Sequence, residues 1–167
     1  MRRLGIALAL TILPAAAHAN ALEERLAPGK ATSCWERRYD EVHLKKHPKQ
    51  KVVAMRLSAN REDDGRLVAN LGINLRKRIE NGTFDYATFA TCTAKGKAVR
   101  CEPEWDSGSF TIEERPDGKL LLRQSKLIMN PANYAAEEVA PDAIDLSTSD
   151  DGAFLLAPIS DAKCEVY

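Results

Sequence analysis

The sequence contains no Gly-x-Ser-x-Gly elbow, no glycine-rich phosphate loop and no Cys-x-x-Cys pair. It also lacks an apolar run long enough to cross a bilayer, and each absence removes a class of function. Without the elbow, and with 3 histidines in all, a serine or cysteine nucleophile has little from which to build an adjacent base. Without the glycine loop nothing cradles the phosphates of a nucleotide. Without closely paired cysteines a thiolate zinc site has no support. A dominant charge is missing too: 24 Lys and Arg stand against 24 Asp and Glu, so no bulk attraction to nucleic acid is expected.

What is present begins with Arg2 and Arg3, the apolar run Leu4 to Leu13 and the small-x-small site Ala17-His18-Ala19. That order is the pattern of a secretory signal peptide. The run is about ten residues, half of what a membrane span needs, so it reads as a removable signal and not as an anchor. No cysteine stands at Asn20 to accept a lipid. The expected organisation is a signal peptide at 1–19, a flexible arm at 20–32 that ends in Pro28-Gly29, and a single domain at 33–167 in the periplasm or outside the cell. Charge is uneven along the exported part: residues 20–100 hold 17 basic and 10 acidic side chains, and residues 101–167 hold 5 and 14. The simplest reading of this asymmetry is that neighbouring strands complement one another.

Four cysteines in an oxidising compartment imply two disulfides and allow three connectivities. Cys92 and Cys101 flank the turn-forming Lys95-Gly96-Lys97, so they are expected to face each other across a hairpin. Cys34 and Cys164 are then left to join the two ends of the domain.

Ser33 and Glu36 have the spacing of a capping box, and Trp35, Tyr39 and Val42 recur at helical intervals up to Pro48, so an amphipathic helix is expected at 34–47. From Lys51 the period falls to two. Val53, Met55 and Leu57 form one alternating set and Leu67 to Leu75 a second, with later strands running to Cys92, from Val99 through Cys101 to Trp105, over Ser109–Glu114, and from Leu120 toward Met129. Asn81-Gly82, Asp106-Ser107-Gly108 and Pro116-Asp117-Gly118 mark turns. A helical turn around Ala135 to Val139 interrupts the pattern, and Ile144–Leu146 and Ala153–Ala157 complete it. The fold expected is mostly β: a seven- or eight-stranded antiparallel meander that closes as a small barrel, or packs as a sandwich, with one N-terminal amphipathic helix.

On that helix His43 and His47 stand four apart with Asp40 beside them, a spacing from which two imidazoles and a carboxylate can reach one metal ion. The plainer role for His43 is packing, and for His47 a favourable charge at the helix C-terminus. Glu102, Glu104, Asp106, Glu113 and Glu114 gather around a turn, where a pair of carboxylates for hydrolysis is conceivable, although alternation places the first three on a solvated strand face. Trp105, Phe110 and Tyr86 are candidates to line a ligand pocket. Basic residues collect at Arg37, Arg38, Lys45, Lys46, Lys49 and Lys51 and again at Arg76-Lys77-Arg78, a pattern suited to a solvated face or to a polyanion.

The stretch from Cys34 to Pro48, with Cys92, Cys101 and Glu104-Trp105-Asp106-Ser107-Gly108-Ser109-Phe110, resembles a set of small exported bacterial proteins of alphaproteobacterial type that carry no assigned activity. Ser107-Gly108-Ser109-Phe110 and Lys95-Gly96 are also similar to two loops of the periplasmic lysozyme inhibitors, which are small disulfide-bonded β-barrels. Here Phe110 stands in place of a tyrosine, Ala94 separates Thr93 from Lys95, and the two loops come in the opposite order. The expected function is a non-catalytic binding module for an envelope protein or small molecule, without cofactor, nucleic acid or membrane anchor, acting as a monomer. A metal-handling protein, a lysozyme inhibitor and a carboxylate-based hydrolase are the alternatives.

Overall fold

A computed structural model describes residues 16–29, 31–77, 84–134, 138–160 and 164. The expected signal peptide up to residue 15, the Asn81-Gly82 turn, Arg78 and most of the helical turn after Ala135 lie outside the described residues. In chain order the elements are α1 (Ala16–Leu26), β1 (Ser33–Arg38), α2 (Glu41–Lys46), β2 (Val52–Arg61), β3 (Leu67–Leu75), β4 (Tyr86–Lys95), β5 (Ala98–Pro103), β6 (Gly108–Glu114), β7 (Leu120–Pro131), β8 (Ile144–Asp145) and β9 (Ala153–Ile159).

The period-two segments become long antiparallel strands. Each of β1 to β7 pairs with its successor, β7 then pairs with β9, and β9 returns to β1. Eight strands therefore close into a barrel, with β8 added outside the end of β7 at Ile128↔Asp145. Closure settles barrel against sandwich, and it removes the open edges on which other chains could pair. Inward-facing residues fill the interior, with Trp35, Met55, Leu57, Leu71, Ile73, Phe110, Ile112, Leu122 and Phe154 in one buried cluster. An eight-stranded barrel is about as wide as its own side chains can fill.

The first half of the expected helix is a strand. Trp35 pairs with Leu57 on one side and with Pro158 on the other, and its indole N–H donates to the Gly118 carbonyl at 3.1 Å. As β1 this segment forms ladders with two neighbours and buries Trp35. As a helix it would leave the barrel open, so tertiary pairing outweighs the local signal. Only Glu41–Lys46 is helical, and its cap is Asp40, not Ser33: Asp40 Oδ1 accepts the His43 N–H at 2.7 Å.

Residues 20–29, read as part of a flexible arm, are ordered instead. Leu22 and Leu26 lie on one face of α1, and with Ala27 they are almost wholly buried at the barrel end where β4 turns into β5. Arg25 pairs with Glu114 across that end. The other end is closed by Asp151, which is 1 % exposed. Its carboxylate accepts the Lys51 and Val52 N–H groups at 2.8 and 3.2 Å and the Ser149 hydroxyl at 2.5 Å.

Both disulfides form as paired in the sequence analysis, Cys34–Cys164 and Cys92–Cys101. The second joins directly opposed residues of β4 and β5. The first closes a separation of 130 residues, for which chain-entropy arguments give about 5 kcal/mol.

Candidate functional site

The strongest candidate lies on the outer wall, where β5 turns into β6. β5 ends at Pro103, before Trp105, so Trp105 belongs to the turn and not to the strand on which its spacing from Cys101 placed it. Trp105 and Asp106 both have left-handed backbones, φ 64° and 52°. A two-residue turn with positive φ at both positions suits the strand twist and normally takes Asn-Gly or Gly-Gly. A bulky residue there costs roughly 1–2 kcal/mol. The turn is held by Ser107 N–H on the Glu104 carbonyl and by Ile128 N–H on the Ser107 carbonyl at 2.8 Å. Gly108 is obligatory beneath it: φ is +96°, and a Cβ would fall 2.0 Å from the Lys126 carbonyl oxygen.

The turn thus holds an indole outward, 52 % exposed, beside Phe89 at 41 %. Together with Tyr134 and Ile128 they border a groove of about 240 Å³, with Asn70 and Glu104 among its polar lining. Flat apolar surface with hydrogen-bonding groups around it is the general composition of a ligand site. Of the three aromatics expected to face a ligand, only Trp105 borders this groove. Phe110 is 1 % exposed inside the barrel, and Tyr86, 7 % exposed, donates its hydroxyl to the Asp142 carbonyl at 3.2 Å. Phe89 escaped the sequence reading although its signal was there. It is the aromatic on the opposite face of a strand whose inward set is Tyr86, Thr88, Ala90 and Cys92.

The expected ligand set of His43, His47 and Asp40 does not converge. Arg37 lies over Tyr39 at 4.7 Å, Tyr39 stacks on His43 at 4.5 Å, and His43 stacks on His47 at 4.4 Å, which makes a column of side chains. His43 Nε2 meets Gln50 Oε1 at 3.0 Å, and the Asp40 carboxylate is occupied as the helix cap. Among the described residues no three His, Cys, Asp or Glu side chains are placed to hold a metal ion. Burial raises the pKa of Tyr39 in this column.

The acidic candidates separate as well. Glu102 pairs with Arg100, Glu113 with Arg115 and Glu114 with Arg25, while Glu104 and Asp106 are exposed. A more enclosed carboxylate, Glu36, lies elsewhere on the outer wall. Arg56 Nε and Nη2 reach its Oε2 at 2.9 and 2.6 Å, and Arg38 Nε reaches Oε1 at 2.5 Å. Burial alone would raise Glu36, but the hydrogen bonds from Arg38 and Arg56 outweigh it and hold the carboxyl below its usual range. Arg56 also stacks over Phe84 at 5.2 Å, so this cluster ties β1 and β2 to the segment just before β4.

The two loops that resemble those of lysozyme inhibitors fall at opposite ends of β5, which has 6 residues, a span of roughly 20 Å. No family model matches this chain, nor does any curated protein or solved structure. The two disulfides are compatible with an oxidising compartment, and no helix among the described residues is long and apolar enough to cross a membrane.

Proposed function

We propose that this protein is a non-catalytic binding module of the periplasm or exterior, and that the groove beside Trp105 is its recognition surface. The observation that supports this most is the strained turn. A tryptophan in left-handed conformation costs stability, and its indole is turned out of the core to border a groove. Strain of this kind tends to be retained where it serves a site. The occupant is a ligand or partner segment with one flat apolar surface and hydrogen-bonding groups at its margin.

The non-catalytic reading is supported by how the reactive groups are used. All four cysteines are bonded, His43 is committed to Gln50, and the acidic cluster is spread over ion pairs and open surface. The filled barrel leaves binding to the outer wall. Affinity capture from periplasmic extract, run in parallel with the native protein and with Trp105→Ala, tests the reading. The expected result is a captured species that the variant fails to retain. Equal capture by both proteins would overturn the assignment of the groove. A titration of Trp emission supports the same experiment, because Trp35 is buried and Trp105 exposed, so binding at the groove changes the signal of one indole only.

A further inference from the structure

A second site lies near the end of the barrel that carries α2. The basic residues formed two clusters in the sequence, one from Arg37 to Lys51 and one at Arg76-Lys77-Arg78. The fold brings the end of the first and the start of the second to a single cleft of about 550 Å³ whose cationic wall is Lys49, Lys51, Arg76 and Lys77. No carboxylate lines it among the described residues. The buried Asp151 stands behind the wall, but both of its oxygens are engaged by the Lys51 and Val52 N–H groups.

The cations differ in what holds them. Arg76 is fixed, donating to the carbonyls of Gln50 at 2.7 Å and of Leu44 and His47 at 2.6 Å each. It secures the C-terminal end of α2 and keeps its charge uncancelled by any carboxylate in these contacts. Lys51 Nζ donates to a neutral hydroxyl, that of Thr148 at 3.1 Å, and is paired with no carboxylate among the described residues. Lys49 and Lys77 are exposed. Between these charges Pro48 and Leu75 contribute apolar surface.

A positive margin around an apolar floor is complementary to a molecule that is anionic at one end and apolar at the other. We propose that this cleft binds an amphiphilic anion, a phosphate- or carboxylate-headed molecule with an apolar tail. The head group meets Lys49, Lys51 and Lys77, and the tail lies along Pro48 and Leu75. The site is separate from the Trp105 groove, so neither stands or falls with the other.

Calorimetric titration with dodecyl phosphate below its micellar concentration tests the proposal, with inorganic phosphate and dodecyl maltoside as the headgroup-only and uncharged probes. Binding is expected for dodecyl phosphate alone, weakening as salt rises because exposed charges are screened within about 8–10 Å. The double variant Lys49→Gln/Lys77→Gln, which leaves the Arg76 contacts in place, is expected to weaken it roughly five- to twentyfold, the range two exposed charge contacts supply. An unchanged melting temperature in that variant separates lost binding from lost folding. Equal binding of inorganic phosphate, equal binding of dodecyl maltoside, no binding of dodecyl phosphate, or full affinity in the double variant would each overturn the proposal. Trp105→Ala is expected to bind dodecyl phosphate as the native protein does.

Discussion

Replacing Leu26 with alanine asks whether α1 is part of the barrel's cooperative unit. Leu26 and Ala27 are wholly buried and Leu22 is 2 % exposed, so the end of α1 replaces water at one barrel mouth. Truncating a buried leucine costs the transfer free energy of the lost atoms plus a cavity penalty, about 2–5 kcal/mol in packed cores. A helix at a barrel end can settle inward and recover part of that loss. The expected cost is therefore about 2–3 kcal/mol, from the lower half of that range. Arg25–Glu114 and the contacts of Arg61 with Glu23 and Glu24, each at 3.9 Å, do not offset it, since surface pairs contribute about 0–1 kcal/mol. The melting temperature should fall by roughly 5–10 °C for a chain of this size. The assay is urea unfolding with disulfides intact, followed by far-ultraviolet circular dichroism and by tryptophan fluorescence. The two probes should give coincident transitions with an unchanged m-value. A loss below about 1 kcal/mol, typical of surface substitutions, would refute the reasoning and show that α1 opens independently of the barrel.

Gly108→Ala should destabilise the fold by several kcal/mol, because the new Cβ would meet the Lys126 carbonyl oxygen at 2.0 Å and the backbone is left-handed; an expressed variant within about 1 kcal/mol of the native protein would contradict that contact. Asp106→Gly has the opposite sign: with φ at 52°, it relieves the turn and should stabilise by about 0.5–1 kcal/mol, and destabilisation in the same urea assay would contradict the strain argument. Glu36→Gln should cost about 1.5–3 kcal/mol at pH 7, the worth of hydrogen bonds to a charged group. Because the folded carboxyl of Glu36 is held below its usual range, its contribution is present above the ordinary glutamate pKa and lost as pH falls through the lowered value. The gap between native and Glu36→Gln stability should therefore narrow on acidification, and a gap that widens or stays constant from neutral pH to pH 3 would exclude this role.

The alternation of inward and outward residues changes phase inside β2, between Val52 and Met55, and inside β7, between Leu122 and Leu127, where the register shifts. The β-strands were legible all the same because most of each strand does alternate, with turn residues such as Gly96 and Gly118 between strands. The disulfides were legible for the same reason, since hairpin geometry left Cys92 opposite Cys101. The segment 34–47 misled because Trp35, Tyr39 and Val42 satisfy a helical period locally, while the partners that make Trp35 a strand residue, Leu57 and Pro158, lie far away in sequence. Closure of a barrel is a non-local constraint, and no local window contains it. The anchoring of α1 was hidden likewise, because two leucines in a polar stretch signal little until a barrel mouth of matching size is present. At the groove, the sequence indicated the turn but not its register, so Trp105 was placed on a strand face. Lys49 and Lys51 were visible in one basic cluster and Arg76 and Lys77 in another, but the meeting of these four depends on β2 and β3 running antiparallel, which brings Lys51 beside Arg76.

A barrel of this size that is filled by its own side chains leaves only its outer wall and its two ends to recognise anything. The interior cannot admit a ligand without expelling residues such as Phe110 or Phe154, each 1 % exposed, at about 3–5 kcal/mol apiece. One end is sealed by α1, whose leucines favour packing over access. The features that local stability does not explain then fall in the remaining places: an outward tryptophan in a conformation suited to glycine, and cations gathered around apolar surface where no carboxylate among the described residues lines the cleft. Folding alone favours Asn-Gly in that turn, and among the described residues no acid stands in the lining beside Lys49 and Lys77. The strained turn and the cation-lined apolar cleft are the physical ground for placing recognition on the wall beside Trp105 and at the cleft beside Arg76.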